Sequence, residues 1–250
     1  MASRAFDPQR PLQRPVRGPE RLRIGAVWGA AELERWLAVA RRGGPATLPG
    51  GTALAADALG GAVADEALDW LRAAGQAALV VDFDSLGGPA DSRALQLAGL
   101  VKRLRRRGFV VHGRFTLGRD HDDVGCFERL VGWVEAAGVA CVELRLWTPD
   151  PGSAEVRTLA RQDRVRHQHL DRWDGAHVVI VPAQMSAETL YRGWAWAQRR
   201  LASLGSRWRR RAGAFAWLDR ELGTPRLRRG SGRAAGVGCT AAGMVASYGR

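Results

Sequence analysis

Between residues 24 and 182 short apolar runs alternate with longer stretches in which apolar residues recur every three or four positions. The first pattern fits strands and the second fits amphipathic helices. The clearest strands are predicted at Ala78–Phe83, Phe109–Leu117 and Ala140–Leu146. Each follows a glycine, Gly75, Gly108 and Gly138, placed where a left-handed residue closes the preceding helix. Of the intervening helices, Ser92–Arg107 shows Leu95, Leu97, Leu100, Val101 and Leu104 on its apolar face, and Val124–Ala137 shows Phe127, Leu130, Val131 and Val134. Upstream, strand Ile24–Trp28 with helix Ala31–Arg42, then a weaker strand around Thr47–Ala55 with helix Asp65–Ala74, continue the alternation. A further strand is expected at Val178–Val181, opened by His177, and a helix starts near Ser186. Five consecutive strand-helix units with a period of about 30 residues mean an α/β fold with a parallel sheet and right-handed crossovers.

The strands decide between an open sheet and a curled one. In a doubly wound sheet both faces are covered and strands read as unbroken apolar runs. Here one parity is apolar, with Leu79, Val81 and Phe83, then Val111, Phe115 and Leu117, then Val142, Leu144 and Leu146. The other carries Asp82 and Asp84, His112 and Arg114, Glu143 and Arg145. Six ionisable groups on one face of neighbouring strands are costly unless paired or wet. They predict a concave polar interior, that is, a partial (βα) barrel of five to six parallel strands with helices outside and further helices at the C-terminus. A salt-bridge lattice that merely fills the barrel is the competing reading.

A length of 250 residues with 46% hydrophobic content supports one large domain or two small ones and excludes wholesale disorder. No run of 18 apolar residues exists, and the stretch Ala234–Gly249 is too rich in glycine, alanine and serine to span a bilayer. Met1–Arg23 has six arginines and no apolar core, so it does not read as a secretory signal, and a cytoplasmic setting is expected. The net charge of +13 lies at the ends: +4 over residues 1–23, +10 over residues 199–250, and −1 between. This divides the chain into a basic flexible segment (1–23), a partial barrel with its C-terminal helix (24–205), and an Arg-rich helix with a Gly/Ala-rich tail (206–250). Lys102 is the only lysine, which points to compositional bias rather than a recognition device. Arginine around Trp208 and Trp217 suits stacking on bases or phosphate binding, so nucleic acid stands as the lesser of the partner readings, and no membrane partner is expected.

Cys126, Cys141 and Cys239 are 15 and 98 residues apart and show no metal-ligand spacing. They read as reduced thiols, the first two as core filling. His167 and His169 lack a completing ligand and read as solvent-facing, and His177 reads as a structural hydrogen-bonding group. No metal site is expected.

An ordered set of short motifs carries a resemblance. Gly113-Arg-Phe-Thr-Leu-Gly-Arg-Asp-His-Asp122, Phe127-Glu-Arg-Leu130, Glu135-Ala-Ala-Gly138 and Leu146-Trp-Thr-Pro-Asp-Pro-Gly152 follow one another. Arg172-Trp-Asp-Gly-Ala-His-Val-Val179 with Pro182, and Met185-Ser-Ala-Glu-Thr-Leu190 with Tyr191, Gly193 and Trp194, come after them, and Leu68–Gly75 with Asp82-Phe-Asp-Ser-Leu86 comes before. Over roughly residues 24–205 this progression resembles the later part of the barrel in radical S-adenosylmethionine enzymes, in the group with an N-terminal cobalamin-binding domain. The resemblance implies a TIM-barrel-like half-barrel and S-adenosylmethionine, an iron–sulfur cluster and cobalamin as the family's cofactors. It also implies cofactor contacts at Asp84, Ser85, Gly113, Arg114, Gly118 and Thr148, on one rim at the strand ends.

The departures fall on the chemistry. Such enzymes hold a four-iron cluster through CxxxCxxC after the first strand, and no such spacing occurs here. The match begins at what would be the family's second strand, so the expected cobalamin domain, first strand and cluster loop have no counterpart, and a truncated gene product or a half-barrel without its catalytic centre is expected. Arg114 stands where the family has a small hydroxyl residue, where it would crowd the cofactor or pair with Asp84. Two functions are therefore carried forward: a radical S-adenosylmethionine-like protein, truncated or degenerate or half of a split enzyme, and a non-catalytic accessory protein. The second would bind a partner chain that completes the barrel, or nucleic acid. Neither catalytic residues nor substrate can be assigned.

Overall fold

The computed structural model describes residues 26–87, 92–167 and 169–211. The basic segment 1–23 and the Gly/Ala-rich tail, with Trp217 and Cys239, lie outside the described residues. Five strands alternate with helices: β1 (Ala26–Trp28), α1 (Ala30–Ala40), β2 (Thr52–Ala55), α2 (Gly61–Ala73), β3 (Ala78–Asp84), α3 (Arg93–Arg106), β4 (Val110–Leu117), α4 (Cys126–Ala137) and β5 (Cys141–Leu146). Helices α5 (Ala154–Arg161) and α6 (Ala187–Ala202) follow, and residues 204–211 form a further helix, α7. Gly75, Gly108 and Gly138 adopt φ of 86°, 82° and 71°, the left-handed values needed for chain reversal into each strand.

The sheet is wholly parallel in the order β1-β2-β3-β4-β5. Every crossover thus steps one strand in the same direction. With right-handed crossovers such a sequence puts the helices on one face, whereas a doubly wound sheet must reverse its order partway. Burial follows this arrangement. Leu79, Val81 and Phe83 of β3, and Val111, Phe115 and Leu117 of β4, are buried against α2, α3 and α4, while their polar alternates are only partly covered except Arg114. The fold is therefore an α/β partial barrel with a polar inner face.

Phe83 and Phe115 stack at 4.9 Å between ring centres, and Trp133 from α4 meets both edge-on at 5.6 and 5.7 Å. The Trp133 indole N–H donates to the Ala94 carbonyl at 2.8 Å, which ties α4 to α3. Gly113 lies directly under this cluster: a Cβ there would stand 2.7 Å from the Phe115 ring and 2.9 Å from Val139. Substitution Gly113→Ala is accordingly expected to cost about 1–3 kcal/mol through overpacking, read as a lowered urea midpoint at unchanged slope.

Residues Val178–Val181 do not join the sheet as a sixth parallel strand. Ile180 instead forms an isolated antiparallel bridge with Val165, and the N–H groups of Arg166 and Val181 bond the carbonyls of Val179 and Arg164. Val179 and Ile180 are both buried, in a satellite cluster with Leu159, so the apolar run serves a small second core rather than an alternating strand. The free edge of β5 is covered even so. Gly175 accepts from the Leu146 N–H at 2.8 Å, and the Trp194 indole of α6 donates to the Leu144 carbonyl at 3.0 Å. Among the described residues no helix is long and apolar enough to cross a membrane.

Candidate functional site at the carboxyl ends of the strands

Strand β3 ends in a bulge. Its register with β4 slips between Asp82 and Asp84, so that Asp84 lies opposite Phe115, and Asp84 takes a φ of 53°, rare for a residue with a side chain. The Asp84 N–H donates to the Asp82 carboxylate at 3.1 Å, which holds the turn. The alternation that placed Asp84 on the face of Asp82 stops here, and Asp84 is re-aimed to the rim. There its carboxylate takes the Arg119 guanidinium at 2.8 Å, and Arg119 in turn lies over the Trp147 ring, 5.4 Å from its centre.

Ser85 follows. Its hydroxyl bonds His121 Nε2 at 2.7 Å and accepts from the Gly87 N–H at 3.1 Å, and its carbonyl accepts from Arg93 Nε at 3.0 Å. At the end of β4, Gly118 turns the chain with φ of 98°, and the N–H groups of Gly118 and Arg119 both donate to Asp122, at 2.8 and 3.0 Å. Burial pushes the Asp122 carboxyl above its ordinary range, and those two bonds work in the opposite sense.

Serine, histidine and aspartate thus meet at one rim, but not as a relay. Asp122 Oδ1 lies 3.7 Å from His121 Nε2, the same nitrogen that Ser85 engages, whereas a relay needs the acid on the other nitrogen. The two amides best placed for an oxyanion are committed to Asp122. The cleft lined by Asp84, Ser85, Leu117, Asp122, Cys126 and Leu130 encloses about 20 Å³. That is room for a water molecule.

Below the rim the inner face is knit across strands. Register places Asp82, Arg114 and Glu143 side by side, and Arg114 forms an ion pair with Asp82. Arg114 does not pair with Asp84, whose displacement by the bulge leaves Asp82 as the carboxylate in reach. One row down, His112 stands beside Val80 and Cys141, with its Nδ1 buried and unbonded. Burial lowers its pKa below 6.5, so the unfolded chain binds the proton first and stability falls as pH drops below about 6.5 toward the folded value. Substitution His112→Gln is expected to flatten that part of a pH–stability profile.

The six residues singled out by the resemblance are therefore split. Asp84, Ser85 and Gly118 share the rim. Thr148 lies two residues beyond β5, beside Trp147, with its hydroxyl turned back to the Leu146 carbonyl at 3.0 Å. Gly113 and Arg114 sit midway along β4 rather than at its end, with Gly113 in the apolar layer and Arg114 on the inner face. Sequence reasoning did not single out His121, Asp122 and Trp147. A signal existed in Gly118-Arg-Asp-His-Asp122, a polar loop directly after a parallel strand, where ligands of such sheets collect. Asp120 of that loop has another task. It forms an ion pair with Arg164 and accepts from the Ala183 N–H at 3.1 Å, pinning the chain that leads into α6.

The cluster that the resemblance brings with it does not fit these residues. Cys126 is buried in α4 and burial pushes its thiol pKa far up, away from the thiolate that iron requires. Cys141 lies on β5, and among the described residues no three histidines, cysteines or carboxylates are grouped to hold a metal. His177 bonds the Asp174 carboxylate at 3.0 Å, a local structural contact. No family model and no curated protein matches this chain.

Proposed function

We propose that this chain is a degenerate half-barrel of the radical S-adenosylmethionine type that has given up cofactor chemistry and acts as a binding module. The observation that carries the reading is the commitment of the polar groups to one another. Arg114 is held by Asp82, Arg119 by Asp84, Asp122 by two amides and Ser85 by His121, where a cofactor wall would keep such groups open for its ligand. The module acts in the cytoplasm, where its two described unbridged thiols stay reduced.

A partner chain that completes the barrel is the favoured target, because among the described residues no strand pairs with the outer edge of β1, where Val27 is exposed. Anaerobic incubation with iron(II) and sulfide tests the loss of chemistry. The monomer is expected to show no charge-transfer absorbance beyond that of scattered thiols, and stoichiometric cluster uptake would overturn the reading.

A further inference from the structure

The strongest surface feature outside the rim lies at the opposite end of the barrel, where the C-termini of α3 and α4 meet α7. Arg105 of α3 donates to the Ala137 carbonyl at 3.0 Å, closing the end of α4, and a Cβ on the adjoining Gly138 would stand 3.4 Å from the Arg210 carbonyl of α7. Arg209 grips Glu135 of α4 through two bonds of 2.6 and 2.8 Å, and Arg210 is buried with Ser206. These contacts fix which side of α7 faces outward. Leu204, Trp208 and Arg211 fall on one helical stripe, with Arg207 beside it. Leu204 is 82% exposed and Trp208 is 71% exposed, and the exposed Lys102 and Arg106 of α3 belong to the same end of the molecule.

Among the described residues, the Trp208 indole stands in solvent between two arginines on α7. We propose that this face binds single-stranded nucleic acid, with Trp208 stacking on an unpaired base and Arg207 and Arg211 taking flanking phosphates. The charge matches, since residues 199–250 carry twelve arginines against two carboxylates. A duplex offers no free base face to the indole. One leucine and one tryptophan form too narrow an apolar stripe to lead insertion into a bilayer.

The test uses the full chain and a fluorescein-labelled 20-mer of thymidine, followed by anisotropy at several salt concentrations. Trp208→Ala, harmless to the fold because the ring is exposed, is expected to weaken binding about tenfold at fixed salt. The double change Arg207→Gln with Arg211→Gln is expected to reduce the slope of log affinity against log salt by about 1.4, near 0.7 for each phosphate lost. Equal displacement by inorganic polyphosphate together with a neutral Trp208→Ala would overturn the proposal in favour of charge alone. Preferential binding to phosphatidylserine vesicles, lost in Trp208→Ala, would overturn it in favour of a membrane surface. Neither outcome bears on cofactor loss at the rim, which the iron and sulfide incubation tests separately.

Discussion

Substitution Arg114→Met is expected to lower the unfolding free energy by about 3 kcal/mol, because it strands the Asp82 carboxylate in a site where that side chain is only 16% exposed. The companion change Asp82→Asn in the same chain should return most of the loss and leave the double variant within about 1 kcal/mol of the parent, since the neutral amide strands no charge and its Oδ1 still accepts from the Asp84 N–H. Urea unfolding of the two single variants and the double variant measures this directly. A loss of less than about 1 kcal/mol in Arg114→Met would mean that the inner face is wet enough to solvate Asp82. The mutual commitment of charges on which the functional reading rests would then fail.

The second large effect is expected where α6 crosses α4. Gly193 faces the ring of Phe127, and a Cβ at Gly193 would collide with the edge of that ring, which is fully buried. Glycine in a helix interior is inferior to alanine by up to about 1 kcal/mol, so the gain in propensity from Gly193→Ala is set against an overpacking cost of about 1–3 kcal/mol or more, and the clash wins. Phe127→Ala alone should cost about 3–5 kcal/mol by leaving a cavity. The double variant should lose clearly less than the sum, because the new methyl occupies part of the space that the ring vacates. Additive losses in thermal or urea unfolding would show that α6 does not pack on Phe127.

From α2 to β5 strand and helix identity were legible because β3, β4 and β5 alternate in sequence and α2, α3 and α4 each run into a glycine of positive φ. Predicted ends fall within a few residues of the observed ones from β3 to β5. The sixth strand misled because Val178–Val181 is apolar without alternation, and periodicity alone does not separate a strand from a loop buried in a side cluster. Part of the site was legible as well. Asp84, Ser85 and Gly118 were placed at strand ends, and they are there. Their partners were not legible, because a one-residue bulge after Asp82 decides which carboxylate meets which arginine, and a slip of that kind leaves no periodic trace in sequence. Gly113 shows the opposite hazard. A motif position suggested an approach to a ligand, whereas the space that its missing side chain leaves is taken by Phe115, Val139 and Phe83.

The claim that the rim has been closed by its own side chains is tested most directly by calorimetric titration of the purified chain with S-adenosylmethionine. With Arg119 held on Asp84 and Ser85 on His121, binding is expected to be weaker than about 0.1 mM, or less than roughly 5.5 kcal/mol. A micromolar constant that disappears in Asp84→Ala would contradict the account and show a working cofactor site.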